Sequence, residues 1–182
     1  LKVAGVLPSG LKIKSLETAG KLSVETSAEV RTGVYYFRLL DGEGATKVIP
    51  LIVGAVPEFR EKEPNGNPGE GTQIALPAVI NGQLKESADV DIFLVDLTKG
   101  ETLSLLLVAN NILGVAMDAI IQVCDSRGFV LAQNDDERGL DPQLSYTAKR
   151  TGMVQVRIFA FPEATNSSIA FSSNADYIYR LT

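Results

Sequence analysis

The apolar runs of this chain are short, and almost every one is closed by glycine, proline or asparagine. That spacing points to β-strands, which need only about 4–8 residues before a turn, and away from helices, which need a sustained 3.6-residue period. "GLKIKSLE" alternates, with Leu11, Ile13 and Leu16 separated by lysines and a serine. "KLSVET" puts Leu22 and Val24 on one face, and "GVYYFRLLDGEG" is a β-rich run closed by a glycine turn. In "TKVIPLIVGAV", Pro50 predicts an edge strand or a bulge, since proline has no N–H to give to a central ladder. With "LKVAGV" before them, these segments fill residues 1–57, a small sandwich that is marginal alone.

A polar stretch follows at 58–73, "EFREKEPNGNPGEGTQ", and then the strand pattern resumes. "ADVDIFLVDLTKGETLSLLLVA" reads as two strands joined at Thr98–Gly100. "MDAIIQVCDSRGFVLAQN" reads as a hairpin turning at 126–128, and "QLSYTAKRTGMVQVRIFAF" as two more strands around 150–152. "ANNILGVAM" at 109–117 has room for a short helical turn, and "DYIYRLT" closes the chain. The fold class is therefore all-β, with two β-sandwich modules in series. The second is jelly-roll-like, with about eight strands. The expected division is 1–57, a lead-in at 58–73, and 74–182.

Composition narrows the function. A net charge of −5 and a pI near 4.8 argue against nucleic acid, which calls for a basic patch. No apolar run approaches the roughly 18 residues of a membrane helix, so no membrane insertion is expected of this stretch. The absence of histidine removes Ser-His-Asp triads, Cys-His dyads and histidine-ligated zinc. Cys124, the only cysteine, reads as a buried core thiol. The chain opens without methionine, as a fragment of a longer protein would.

From residue 61 onward the order of motifs resembles the bacterial pre-peptidase C-terminal domain, a β-sandwich appended to secreted proteases and other extracellular proteins. The residues that carry the resemblance are "EKEPNGNP", "INGQL", "ADVDIFLVDLTKGETLSL", "DAIIQVCDSRGFVLAQNDD", "RTGMVQVRIFAF" and "DYIYRLT". The preceding part resembles the immunoglobulin-like segment found before this domain in planctomycete-type extracellular proteins. The family is similar to the collagen-binding domains of clostridial collagenases, which bind calcium. The resemblance implies calcium ligands at Glu61, Glu63 and Asn65 in the lead-in and at Asp89 and Asp91 in the strand start. At Gly66 the chain departs from metal-binding members, which tend to carry an acidic or amide side chain there. The resemblance also implies a ligand-binding face around Tyr146, Arg157, Phe159 and Tyr179.

Physical chemistry leaves two readings of the acidic residues open. Calcium takes six to eight oxygen ligands, and two carboxylate rows brought together repel unless a cation or solvent intervenes. The alternative is a solvated linker beside an acidic strand start. A second cluster, Asp135, Asp136, Glu137 and Asp141, lacks EF-hand spacing and reads as an exposed loop. "NSS" at 166–168 matches a glycosylation acceptor pattern, which a bacterial origin would make irrelevant. The expectation is a non-catalytic accessory or adhesion module, not an enzyme. It would be a monomer, secreted or on the bacterial cell surface, binding an extracellular polymer or protein. The alternative is a structural spacer.

Overall fold

A computed structural model describes residues 2–16, 18, 20–162 and 171–182; the "NSS" pattern lies outside the described residues. The described residues contain no helix. They divide into two compact units, 1–55 and 56–182.

The first unit holds β1 (Lys2–Ala4), β2 (Leu11–Ser15), β3 (Leu22–Thr26), β4 (Gly33–Leu40) and β5 (Ile49–Val53). β2 and β3 form an antiparallel hairpin, and β1, β4 and β5 form a three-stranded sheet in the order β1-β4-β5. Pro50 lies in β5, at the edge of that sheet, the position to which proline's missing N–H confines it. Among the described residues of the unit, Leu11, Ile13 and Phe37 are the buried apolar side chains, a small core for a unit of this size.

The second unit is a sandwich of two five-stranded sheets. Its strands are β6 (Glu58–Arg60), β7 (Thr72–Gln73), β8 (Val79–Gln83), β9 (Asp91–Leu97), β10 (Thr102–Val108), β11 (Ala119–Cys124), β12 (Val130–Asn134), β13 (Gln143–Thr147), β14 (Gly152–Ala160) and β15 (Ile178–Leu181). One sheet runs β13-β10-β15-β8-β6 and the other β12-β11-β14-β9-β7. The period of two decides the core. Leu103, Leu105 and Leu107 face inward on β10, Phe93, Val95 and Leu97 on β9, and Val154, Val156 and Ile158 on β14, all buried. Cys124 is also buried.

Two turns expected between neighbouring strands prove to be corners. β9 pairs with β14 and β7, whereas β10 pairs with β13 and β15, so Thr98–Gly100 carries the chain from one sheet to the other. The turn at 150–152 does the same between β13 and β14. The two corners meet where the Lys99 amide donates to Thr151 Oγ1 at 3.0 Å. Only β11–β12 is a true hairpin among these.

The polar lead-in is built into the sandwich. β6 lies parallel to β8, and β7 lies parallel to β9, so the segment between them passes from one sheet to the other. Glu58 fastens its start. Arg180 Nη1 and Nη2 each donate to a Glu58 carboxylate oxygen at 2.7 Å, and Asn81 Nδ2 adds a third bond at 3.0 Å. The Arg180 guanidinium holds the Glu58 carboxyl below its usual range.

Glu58→Gln would leave the guanidinium of a buried Arg180 without its counter-charge. It should cost on the order of 2 kcal/mol, less than a fully buried pair would because Glu58 is partly in water. The midpoint of urea unfolding checks this, with Arg60→Gln, an exposed neighbour, expected to change little.

Candidate metal centre

Three carboxylates meet at one end of the sandwich. Glu61 follows β6, Glu63 lies in the bend after it, and Asp91 opens β9 in the opposite sheet. One oxygen from each lies within 4.8 Å of the others. Asp91 points inward because it shares the face of Phe93, Val95 and Leu97, and it is fully buried.

A tyrosine completes the group. Tyr179 on β15 is 2% exposed, and its hydroxyl donates to Asp91 Oδ2 at 2.5 Å and lies 3.3 Å from Glu61 Oε2. Glu61 Oε1 accepts from the Gln83 amide at 2.6 Å. This convergence requires glycine at 82, because a Cβ there would sit 2.2 Å from the Tyr179 ring and 2.5 Å from Glu61 Oε2.

Asn65 lies beside the carboxylates. Its backbone N–H donates to Glu63 Oε2 at 2.9 Å, and its backbone carbonyl accepts from the Ile92 N–H at 3.2 Å. The residue is fully buried, yet neither side-chain atom has a hydrogen-bond partner, and Asp91 Oδ1 has none either. Buried polar atoms are rarely left this way, so these three ask for a ligand.

Burial pushes Asp91 up to about 9, and the neighbouring Glu61 carboxyl adds to it. Burial also raises Glu61, with Glu63 contributing repulsion, and raises Glu63, with Asp89 and Glu86 contributing. Tyr179 is raised well above its ordinary value, first by burial and then by the two acids. The group can hold its negative charge only with a proton or a cation inside it. The donor set is all oxygen, which fits a hard cation such as calcium.

Of the five implied ligands, the structure brings Glu61, Glu63 and Asp91 together, with Asn65 beside them. Asp89 stands apart. Its Oδ2 accepts from the amides of Lys85 and Glu86 at 2.7 and 3.0 Å, closing a turn that has Ala88 in the left-handed region (φ 59°). At Gly66, a Cβ would lie 3.1 Å from the Val90 carbonyl oxygen, so the glycine lets the lead-in pack against the start of β9.

The four residues expected on a binding face are scattered. Tyr146 is half-buried on β13, in the opposite sheet from Arg157 and Phe159 on β14. Phe159 is buried and packs on Phe171, with centroids 4.5 Å apart, and Tyr179 belongs to the carboxylate group. Asp141, expected in an exposed loop, is buried. It accepts from the amides of Ala109, Asn110 and Asn111 and so orders the turn at 109–114.

Two outcomes follow. Gly82→Ala should destabilise the second unit by about 1–3 kcal/mol, the usual range for overpacking, and lower its thermal midpoint. In EDTA, stability should fall as pH rises from about 4 towards 9. Asp91 binds its proton more tightly folded than unfolded, so that contribution is complete below the unfolded value and is lost through the folded one. Urea midpoints across that range in EDTA read the slope, and Asp91→Asn should flatten it.

No family model and no curated protein matches the chain. Among solved structures it is similar to the pre-peptidase C-terminal domain of collagenase from Bacillus anthracis. The two are 11% identical, the match covers 67% of this chain and 98% of that chain, and the TM-score is 0.47. At that identity the likeness carries no residue-level correspondence.

Proposed function

We propose that this chain is a non-catalytic accessory module of a secreted or cell-surface bacterial protein, of the pre-peptidase C-terminal type, with its lead-in clamped by calcium. The motif order from "EKEPNGNP" to "DYIYRLT" supports the type. The observation that carries the clamp is the meeting of Glu61, Glu63 and Asp91 beside the unpartnered side chain of buried Asn65. The three carboxylates would hold the ion, and Asn65 would add a neutral oxygen. The ion would supply positive charge that balances the three acids. Glu61 and Glu63 belong to the lead-in and Asp91 to the opposite sheet, so the residues themselves would become one cross-link. The lack of histidine, which removes Ser-His-Asp triads and Cys-His dyads, supports a binding or structural role over an enzyme.

The module would present its parent protein to an extracellular polymer or protein partner. A plain spacer role is favoured by one observation: Phe159 and Tyr179, two of the four residues expected on a binding face, are buried.

Thermal unfolding with calcium and with EDTA tests the clamp. A ligand that binds only the folded state stabilises by RT ln(1 + [L]/Kd), about 2.7 kcal/mol at a hundred times Kd. The midpoint of the second unit should rise with calcium, and Asp91→Ala should abolish the rise. An identical midpoint in EDTA and in millimolar calcium would contradict the clamp.

A further inference from the structure

The second unit is acidic: across residues 56–182, Asp and Glu outnumber Lys and Arg. One end of it departs from that balance. The two corners at 98–101 and 148–151 carry Lys99, Lys149 and Arg150, all exposed. Among the described residues none of the three is in an ion pair. Glu101 is the one acid in the two corners, and its Oε2 accepts from the Thr98 amide at 2.8 Å. The backbone ties the corners together. The Gly100 amide donates to the Ala148 carbonyl and the Ala148 amide to the Glu101 carbonyl, both at 2.8 Å. With the bond from the Lys99 amide to Thr151, this sets Lys99 beside the turn that holds Lys149 and Arg150. Like charges gathered on such a platform focus a positive potential, and an anion that joins them loses little to ordering of the backbone.

A polar track leads away from this platform. Alternation turns Thr102 and Ser104 of β10 and Ser145 and Thr147 of β13 outward, opposite the buried Leu103, Leu105 and Leu144. The register sets Thr102 beside Thr147, with their hydroxyl oxygens 2.9 Å apart, and Ser104 beside Ser145. All four are exposed, and neither strand holds an acid. The acidic run at 135–137 precedes β13 and so lies towards the other end of that strand. A strand pairing with the other edge of β10 would lie in the plane of the sheet and leave this outer face as it is.

We infer that this platform and its track bind an acidic polysaccharide, with sulfate or carboxylate groups on Lys99, Lys149 and Arg150 and sugar hydroxyls along the threonine and serine pairs. The inference rests on the reading of the chain as a module that meets an extracellular polymer, and it names the class of that polymer. Lysine offers a point charge, and arginine a fork that fits either oxyanion. Hydroxyl side chains donate and accept, as sugar hydroxyls do. The track has no apolar side chain to seat those of a peptide. The corners hold no aromatic or large aliphatic residue to insert into a membrane surface. The chemistry is separate from that of the carboxylate group and needs no cation.

The test titrates the full ¹⁵N-labelled chain, in EDTA, with short-chain dextran sulfate, carboxymethyl dextran, uncharged dextran and poly-glutamate. At least one charged dextran should shift the amides of Lys99, Thr102, Ser104, Ser145, Thr147 and Lys149 saturably, and the tighter of the two names the anion. Added salt should weaken the binding. The triple variant Lys99→Gln, Lys149→Gln, Arg150→Gln should lose about tenfold or more in affinity with an unchanged thermal midpoint, because its three sites are exposed and outside any ion pair. Ser145→Glu, which sets a like charge on the track, should weaken binding as well. Arg127→Gln should change it little, since Arg127 already lies 3.5 Å from Asp125 in its own turn. Silence with both charged dextrans, or shifts confined to residues 1–55, would overturn the inference. Uncharged dextran bound as tightly would overturn the acidic class and leave the polymer-binding reading standing. Tighter binding of poly-glutamate would overturn it in favour of an acidic peptide. Self-association that the triple variant abolishes would overturn it in favour of the acidic end of a second copy.

Discussion

Three carboxylates and a tyrosine hydroxyl converge at one end of the second unit, Asp91 and Tyr179 buried, Glu61 half-buried and Glu63 at the surface. Glu61 and Glu63 come from the lead-in, Asp91 from the first inward position of β9, and Tyr179 from β15. Their mutual repulsion and their burial both oppose ionisation, which is why all three acids are raised and Asp91 is raised most clearly. The fold tolerates such a group only if the charge is balanced within it, by protons at low pH or by a cation. The state of this one cluster therefore bears on how firmly the lead-in is tied to β9.

The surrounding contacts place the acids. Glu58 and Arg180 fix the start of the lead-in against β15, and the parallel pairing of β6 with β8 delivers Glu61 to the strand carrying Gly82. Glycine at 82 makes room for the Tyr179 ring, and glycine at 66 lets the following backbone lie against Val90. β7 then pairs with β9 and closes the loop. The segment from Glu61 to Glu70, whose only apolar side chains are two prolines, is thus held by the ladders that flank it and by hydrogen bonds of Glu61, Glu63 and Asn65 rather than by a core of its own.

Much of this was legible in the sequence. Alternation located the strands, because a period of two survives in any half-buried sheet. Oxygen-bearing side chains at 61, 63, 65 and 91 were readable as a candidate set. Sheet membership was not: a glycine turn looks the same whether it closes a hairpin or turns a corner between sheets, as 98–100 and 150–152 do. Asp89 looked equivalent to Asp91, but one of its oxygens is taken by the backbone amides of Lys85 and Glu86. Tyr179 looked like a surface aromatic, although Tyr177, Tyr179 and Leu181 fall on one alternating face, the signal that it points inward. Asp141 sat in an acidic run, and only the backbone amides brought to it across the fold show it buried.

The central claim is that the three converging acids form a cation site joining the lead-in to the opposite sheet. A crystal structure grown with calcium tests it most directly. The account predicts an ion bonded to oxygens of Glu61, Glu63 and Asp91 at about 2.3–2.6 Å. A structure in saturating calcium with Tyr179 still bonded to Asp91 and no ion among the three carboxylates would contradict it.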